Sequence, residues 1–295
     1  MPTEDVSMRY RDLDLWPTGD AVQAMLEGQL AAAAAVQPRV AAIAAAAEAA
    51  AKCLADPAGR LIYVGAGTSG RLAVQDGVEL APTYGWPRAR TAYLIAGGND
   101  ALTASIEGSE DDAAAAESAM RRLAPSASDV VVAVAASGTT PYTLAAVCRG
   151  GAEGALTIGI ANNPEAPLLQ AAAHPILLDT GAEVVAGSTR MKAGTAQKIA
   201  LNLFSTALML RLGGIHEGRL VNMQVSNAKL RTRGIAMIRD IVGVDEAVAA
   251  AALERADGAI KLAVLIALGW RPEQGSAALA AANGDLRAVL ALKKT

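Results

Sequence analysis

Short apolar runs and amphipathic stretches alternate through the middle of the chain. Each run has the length and continuity of a strand that is buried on both faces, and each stretch has the spacing of a helix. The predicted strands lie at 61–64, 91–96, 129–135, 155–160 and 175–178. The predicted helices between them lie at 69–80, 99–106, 110–123 and 141–149. This alternation predicts an α/β fold in which helices pack on a parallel sheet.

The N-terminal part of the chain has helical patterns without strands. Helices are predicted at 19–35, with Thr18 as the N-terminal cap, and from Pro38 to about residue 55. The Ala-rich tract at 31–51 is apolar, but polar residues interrupt it and alanine is only weakly hydrophobic. We therefore expect a soluble pair of helices here and no membrane span.

The C-terminal part is also helical. A long helix is predicted at 190–212, and Ser188 or Thr189 is expected to cap it. Further helices are predicted at 225–241, 244–255, 258–267 and 273–292. The chain thus divides into three parts. These are an N-terminal helical arm (1–58), a sheet-bearing domain (59–242) and a small all-helical C-terminal part (243–295).

Glycine-rich turns that carry hydroxyl groups follow the first and third predicted strands. The first turn, at 65–70, has the spacing Gly-x-Gly-x-x-Gly, and the second lies at 136–141. Each turn leads into a helix, whose outward-pointing N–H groups and dipole favour a bound anion by roughly 0.3–1 kcal/mol. The hydroxyl groups belong to Thr68, Ser69, Ser137, Thr139 and Thr140.

The two turns are expected to meet, because parallel strands end at one edge of the sheet and ligands of open α/β folds bind there. Hydroxyl and backbone N–H groups are neutral donors that suit a phosphate group. The first turn lacks the Lys-Ser/Thr ending of a P-loop, and no acidic residue follows about 20 residues later to hold a ribose. We therefore predict a phosphate-binding site, with two ordinary capped helices as the alternative.

Composition narrows the class of protein. The 295 residues can bury a large core, and 53% hydrophobic with 3% aromatic residues indicates a core of Ala, Val, Leu and Ile. A net charge of −3 and a pI near 5.5 argue against nucleic acid as a partner. Cys53 and Cys148 form neither a disulfide framework nor a metal-ligand spacing. Together with an acidic N-terminus that lacks a signal-peptide pattern, this predicts a cytoplasmic protein without a metal site.

Three glutamates are candidates for acid–base chemistry or substrate contacts. Glu79 lies late in the helix 69–80, Glu110 begins the helix 110–123, and Glu183 precedes the long helix. Two carboxylates that face one site can divide into an acid and a base. Each glutamate also has an ordinary alternative. Glu79 can be a solvated helical residue, Glu110 a partner of the helix dipole, and Glu183 an anchor for helix entry.

Positively charged side chains supply further candidates for binding a ligand. Lys192 and Lys198 lie on different faces of the long helix, so one can reach a ligand while the other is solvated. We take Lys192, together with Ser188, as candidate binding residues. His216 lies in a glycine-rich loop and is a candidate substrate contact, whereas His174 precedes a proline and is expected to be structural.

Six segments carry a family resemblance. They lie at 59–72, 94–98, 107–111, 136–142, 181–198 and 226–230. These segments resemble the N-acetylmuramic acid 6-phosphate etherases, which belong to the sugar-isomerase-domain superfamily. The similarity runs from about residue 8 to the end, and the segment at 181–198 is its most specific part.

The resemblance implies a fold, an activity and a set of residues. The fold is a three-layer αβα sandwich of flavodoxin-like topology with a five-stranded parallel sheet, in a homodimer with active sites near the subunit boundary. The activity is cleavage of the D-lactyl ether of N-acetylmuramate 6-phosphate, without metal or organic cofactor. The products are N-acetylglucosamine 6-phosphate and D-lactate. The proton donor corresponds to Glu79, the second catalytic glutamate to Glu110, and the phosphate contacts to Ser69, Ser137 and Thr140.

The chain departs from the family pattern in one segment and at two further positions. Members usually read Asp-Ala-Ser-Glu-Cys-Pro-Pro-Thr where this chain has Asp-Gly-Val-Glu-Leu-Ala-Pro-Thr at 76–83. They usually have Arg in place of Thr139 and Cys in place of Asn162. Two rival functions remain: a non-catalytic sugar-phosphate sensor similar to the glucokinase regulatory protein, and an aldose–ketose phosphosugar isomerase.

Overall fold

Five parallel strands form one sheet in the computed structural model, which describes residues 1–292. The strands are β1 (Leu61–Gly65), β2 (Thr91–Ile95), β3 (Val130–Val134), β4 (Leu156–Ala161) and β5 (His174–Leu177). Their order across the sheet is β2-β1-β3-β4-β5, and every neighbouring pair is parallel. The predicted five-stranded parallel sheet is therefore confirmed, with each strand within two residues of its predicted ends.

Twelve α-helices accompany the sheet in the described part of the chain. The first seven are α1 (Thr18–Val36), α2 (Val40–Leu54), α3 (Gly67–Tyr84), α4 (Ala113–Leu123), α5 (Pro141–Ala152), α6 (Pro167–Ala171) and α7 (Lys192–Arg211). The last five are α8 (Ala228–Val242), α9 (Glu246–Arg255), α10 (Ile260–Ala267), α11 (Pro272–Ala281) and α12 (Leu286–Ala291). Short 3-10 helices fill several of the connections.

Helices cover both faces of the sheet. On one face, Ile62, Val64 and Val131 pack with Met120 of α4 and Val147 of α5 in a buried cluster. Successive strand residues point to opposite faces, so the intervening residues face the other layer. There α2 packs against β3, β4 and β5, and α3 lies next to β1. The three-layer αβα sandwich that the resemblance implies is therefore confirmed.

The chain forms two compact units, which we describe separately. The first comprises Met1–Gly77 and Ala89–Ala207, and it contains the sheet. The second comprises Val78–Arg88 and the chain from Leu208 onward. Its core joins α8, α9, α10 and α12 through buried side chains such as Ile238, Leu253, Val264 and Leu286. The domain boundaries suggested by the sequence, after residues 58 and 242, stay a prediction.

Several helix ends differ from the predicted ones. Helix α3 continues to Tyr84 and accommodates Pro82 in its last turn, where a proline interrupts only the end of the hydrogen-bond ladder. The helix predicted at 99–106 is a short 3-10 helix, Gly98–Leu102, and Gly97 and Gly98 at its start both have positive φ. The helix predicted at 273–292 is two helices, α11 and α12, which Gly284 separates at φ +77°.

The N-terminal helices are apolar. The stretch Thr18–Leu54 contains an 18-residue window with a mean hydropathy of 1.5, and by length and composition alone it could cross a membrane. Within its unit, however, α2 packs on the sheet and buries Ile43 and Leu54. Helix α1 begins at Thr18 itself, after Pro17, and no side chain caps it, so the predicted Thr18 cap is wrong.

Candidate functional site

The turn after β1 brings α3 close to the strand. A Cβ on Gly65 would lie 2.8 Å from the Cα of Gly70, and a Cβ on Gly70 would lie 2.9 Å from the carbonyl carbon of Gly65. Gly67 has φ +52°, which favours glycine. The spacing Gly-x-Gly-x-x-Gly thus allows α3 to begin immediately beyond the strand end. Thr68 is half-buried and Ser69 is buried in the first turn of this helix.

The turn after β3 is built in a similar way. Gly138 has φ +68°, and a Cβ there would lie 2.4 Å from the Cβ of Ala166. The Oγ of Ser137 accepts a hydrogen bond of 3.2 Å from the N–H of Thr139. Helix α5 then begins at Pro141, and Thr140 precedes it without forming a side-chain cap. The hydroxyl of Thr140 is therefore not used to cap α5.

The fold brings the two turns to one edge of the sheet. Strands β1 and β3 are neighbours, with Gly65 paired with Val134 at their carboxyl ends. The chain continues from β1 to β2 on one side and from β3 to β4 on the other. The strand order therefore reverses between β1 and β3. Ligands of open α/β sheets bind at such a point. Thr68 and Ser69 therefore share a sheet edge with the Ser137–Thr140 hydroxyl groups, as the sequence predicts.

The start of α7 adds a third segment to this edge. The buried carboxylate of Glu183 accepts hydrogen bonds of 2.9 Å from the N–H groups of both Lys192 and Ala193. Glu183 therefore caps α7, and neither Ser188 nor Thr189 does, which corrects the predicted cap. Glu183 thus has the alternative role given above, in which it anchors the start of the helix.

Lys192 points away from open solvent. Its Nζ donates a hydrogen bond of 2.7 Å to the carbonyl oxygen of Ala182. Burial lowers the pKa of this ammonium group, and the neighbouring Glu183 opposes the shift. Lys198 is exposed and bonds Asn202 of its own helix. A Cβ on Gly194 would lie 3.5 Å from the methyl group of Thr68, so α7 begins beside the first turn of α3.

The N-terminal segment also reaches this edge, which the sequence did not indicate. Thr3 is fully buried, and its N–H and hydroxyl lie within hydrogen-bonding distance of the Asn163 side chain. The Asn163 amide also donates to the carbonyl of Ala136, in the turn after β3. The carbonyl of Thr3 accepts from the N–H of Gly187, in the loop before α7. Residues 1–5 thus connect two of the segments that form the edge.

A buried carboxylate fixes α3 on the sheet. Asp76 accepts hydrogen bonds from the hydroxyl of Tyr63 (2.9 Å), the amide of Asn202 (2.8 Å) and the hydroxyl of Ser205 (3.0 Å). Burial raises the pKa of Asp76, and these three donors oppose the shift. The sequence gave no signal for this network, because its partners lie on β1 and on α7.

The two catalytic candidates are both exposed in the single chain. Glu79 lies on α3, in the segment Val78–Arg88, and Glu110 lies in the 3-10 helix Ser109–Asp111. Among residues 1–292, neither carboxylate forms a hydrogen bond or ion pair. Asp112 caps α4 through the N–H of Ala115, so Glu110 does not begin that helix and the predicted start at 110 is wrong.

His216 belongs to the second compact unit. Its backbone pairs with Arg219 in an isolated β-bridge, and its side chain is buried. Burial lowers the pKa of this imidazole. The side chain lines a cavity of about 490 Å³ together with Glu217, Leu268 and Arg287. Its predicted contact with a substrate stays a prediction.

Comparison with known proteins identifies the family. Residues 43–150 match the model of the glucokinase regulatory protein N-terminal SIS domain. The N-acetylmuramic acid 6-phosphate etherase of Deinococcus radiodurans is 48% identical over 289 residues, which cover 98% of this chain and 94% of that protein. The chain belongs to the N-acetylmuramic acid 6-phosphate etherase family. The etherase of Rubrobacter xylanophilus is 43% identical over 98% of this chain and 95% of that protein.

A more distant similarity is to the solved structure of an isomerase. A phosphoheptose isomerase from Francisella tularensis has a TM-score of 0.47 at 16% identity, and the match covers 66% of this chain and all of that one. The etherase family, unlike the shorter SIS-domain match, accounts for the chain almost from end to end. Both the sheet-bearing unit and the helical unit from Leu208 onward therefore belong to the etherase architecture.

Proposed function

We propose that this chain cleaves the D-lactyl ether of N-acetylmuramate 6-phosphate, giving N-acetylglucosamine 6-phosphate and D-lactate. The observation that carries the proposal is the near full-length identity of 48% with an etherase, in a chain that retains the two hydroxyl-lined turns at one sheet edge. A non-catalytic sensor is not favoured, because the full-length relatives are named as etherases.

The phosphate group is assigned to the turns after β1 and β3. Ser69 and the first N–H groups of α3 approach from one side, and Ser137 and Thr140 from the other. These groups are neutral, so they bind a phosphate through directed hydrogen bonds at a helix N-terminus. Thr68 and Thr139 flank them, and Ser188 lies in the loop before α7. In our proposal Glu183 and Lys192 hold that loop in place and do not contact the substrate.

The chemistry requires an acid and a base on the sugar. In the ring-opened substrate, the hydrogen on C2 is acidic because it lies next to the aldehyde. A base removes it, and the lactyl oxygen leaves C3 with a proton from an acid, which forms an unsaturated aldehyde. Water then adds to C3, and a proton returns to C2. We assign the acid to Glu79 and the second acid–base role to Glu110. Each should increase the reaction rate about 10²–10⁴-fold.

A glutamic acid that donates a proton at neutral pH has to be desolvated or placed near another negative charge. The single chain leaves both glutamates exposed. We therefore propose that the substrate and a second subunit complete their surroundings in a homodimer. Helix α1 supports this assembly, because Val22, Leu26 and Leu30 form an exposed apolar stripe at helical spacing.

We propose a cytoplasmic location for the same enzyme. Cys53 and Cys148 are both unpaired thiols, which suits a reducing compartment. A phosphorylated amino sugar is also a metabolite that cells keep inside the membrane. Localisation of a tagged full-length chain by fractionation tests this directly, and recovery of the enzyme outside the cytoplasm would contradict it.

The decisive assay incubates the purified chain with N-acetylmuramate 6-phosphate and measures D-lactate with a coupled dehydrogenase. We expect Glu79→Gln and Glu110→Gln to bind the substrate but to lose at least 100-fold in turnover. Glu117→Gln is the matched control, since it removes the same charge from the surface of α4. A folded wild-type chain that releases no D-lactate would refute the proposal.

Isotopes distinguish the etherase from an isomerase. In D₂O enriched in ¹⁸O, elimination followed by water addition places deuterium on C2 and ¹⁸O on the C3 hydroxyl of the sugar product. An aldose–ketose isomerase would return the proton to C1 and would release no lactate. Product analysis by mass spectrometry and NMR separates the two outcomes.

A further inference from the structure

The second compact unit contains a cavity that the proposed etherase chemistry does not use. Its volume is about 840 Å³, which lies in the range of small-molecule sites. It lies between the loop 221–226, the first turn of α10 and helix α11. Its polar lining side chains belong to Asn222, Gln224, Ser226, Asp257, Lys261 and Ser276.

Lys261 is the buried cation of this cavity. The residue is 8% exposed, and its Nζ donates a hydrogen bond of 2.5 Å to the carbonyl oxygen of Gly284. An ammonium group has three donors, and among residues 1–292 Gly284 provides the one hydrogen-bond acceptor for Nζ. No carboxylate there lies within 4.0 Å of Nζ either. A buried charge without a counter-charge is costly, so a bound anion beside Nζ would offset that cost.

The nearby groups leave this charge available. Asp285 is the carboxylate with the strongest electrostatic effect on Lys261, but it accepts hydrogen bonds from the N–H groups of Arg287 and Ala288 and caps α12. Lys261 is the second residue of α10, a helix that begins without a side-chain cap. The positive end of that helix therefore adds to the charge of the ammonium group.

We propose that this cavity binds a small organic oxyanion, whose charged group contacts Lys261 and whose hydroxyl or amide groups contact the polar lining. The amides of Asn222 and Gln224 and the hydroxyls of Ser226 and Ser276 supply neutral donors and acceptors for such groups. Asp257 adds an acceptor for a ligand hydroxyl. Carboxylates and phosphate monoesters share this chemistry, and the proposal does not depend on the etherase activity.

Methionine-methyl NMR on the full-length chain tests the proposal, because Met223 lines the cavity. The probes are sodium D-lactate, inorganic phosphate and N-acetylglucosamine 6-phosphate, each titrated separately. We expect at least one to shift the Met223 resonance saturably, and the probe that does so shows whether the anion is a carboxylate or a phosphate. Absence of a saturable shift with all three would overturn the proposal.

Two substitutions assign the binding to Lys261. Lys261→Gln should lower the affinity for the anion that binds roughly tenfold or more. Lys229→Gln, which removes an exposed charge from α8, should leave that affinity unchanged. Equal affinity in the wild type and Lys261→Gln would overturn the proposal. Should Lys261→Gln fail to fold, Lys261→Arg keeps the test decisive through its pH dependence.

Burial lowers the pKa of Lys261 to about 8. The other charged groups that face it are the carboxylates of Asp257 and Asp285. Affinity in the wild type should therefore fall roughly 30-fold between pH 7 and pH 9.5, as the ammonium loses its proton. Lys261→Arg should bind with an affinity that hardly changes over this range, because arginine stays protonated. An equally pH-dependent affinity in Lys261→Arg would contradict the assignment.

Discussion

Substitution of Gly138 by alanine tests how the turn after β3 is built. Two separate costs are expected. The residue has φ +68°, where a side chain costs about 1 kcal/mol, and the added Cβ would lie 2.4 Å from the Cβ of Ala166 and 3.0 Å from that of Ala161. Overpacking of a rigid site typically costs about 1–3 kcal/mol. Gly138→Ala should therefore destabilise the sheet-bearing unit by about 2–4 kcal/mol.

Gly98 supplies a matched control for this experiment. It has the same φ of +68°, but no atom lies within 4 Å of the position that its Cβ would occupy. Gly98→Ala should therefore cost only the backbone contribution, about 1 kcal/mol. The difference between the two variants isolates the steric contribution of the Ala166 contact.

Urea unfolding followed by circular dichroism measures both variants, and equal m-values would show that the same surface becomes exposed. In thermal unfolding, Gly138→Ala should lower the Tm by roughly 5–15 °C, since 1 kcal/mol corresponds to about 2–4 °C in a unit of this size. Its KM for the phosphosugar should also rise, because Ser137 and Thr139 lie on either side of the displaced residue. Equal stability of the two variants would refute the steric argument.

Two further predictions concern buried carboxylates. The carboxylate of Glu183 accepts hydrogen bonds from two backbone N–H groups, and Glu183→Gln would place an amide N–H against one of them. We expect this variant to lower the free energy of unfolding by about 1–3 kcal/mol. The control Glu153→Gln, which breaks an exposed ion pair, should lower it by less than about 0.5 kcal/mol in the same thermal unfolding assay. Asp129→Asn removes the buried partner of Arg60 and should cost about 3 kcal/mol at pH 7. Burial raises the pKa of Asp129, but the hydrogen bonds from Arg60 and from the N–H of Ser126 together outweigh it and hold the pKa below its ordinary value. This stabilisation is therefore present above the unfolded-state pKa and is lost as the pH falls through the folded-state pKa. An Asp129→Asn penalty that persists unchanged in acid would contradict this.

The sequence predicted the sheet well, because burial on both faces leaves an unambiguous pattern. Strands such as β3 (Val130–Val134) are continuous apolar runs, and each run ends at glycine, hydroxyl or other polar residues. The two turns were recognisable for the same reason: their glycines and hydroxyls are adjacent in the chain and follow the strands directly. Strand order then places them at one edge without further information.

The remaining parts of the candidate site depend on contacts between distant residues. Thr3 and Asn163 are 160 residues apart, and neither segment alone shows that Thr3 is buried. The cap of α7 comes from Glu183, nine residues before Lys192, whereas local capping rules select the adjacent Ser188 or Thr189. Asp76 likewise acquires its role only when α7 packs beside α3. Such roles follow from tertiary structure and not from local propensity.

Helix α3 also constrains how the active site can be assembled. Glu79 follows Ser69 by ten residues, which corresponds to about 15 Å along the helix axis. This exceeds the distance between the phosphorus and the third carbon of a hexose 6-phosphate. A phosphate held at the first turn of α3 therefore places the ether well short of the Glu79 backbone on the same helix. We expect Glu79 to act as the acid on the sugar whose phosphate is bound by the turns of the partner subunit.

Mixing two inactive variants tests this arrangement. Glu79→Gln lacks the acid, and a Ser137→Ala/Thr140→Val double variant lacks phosphate contacts. In a hybrid dimer, one site would combine an intact Glu79 from one chain with intact turns from the other. Random exchange should therefore restore about a quarter of the wild-type activity, since half of the dimers are hybrids and half of their sites are intact. Native mass spectrometry checks that hybrids form. Hybrids without activity above that of the parent variants would show that each chain acts on its own substrate and would refute this arrangement.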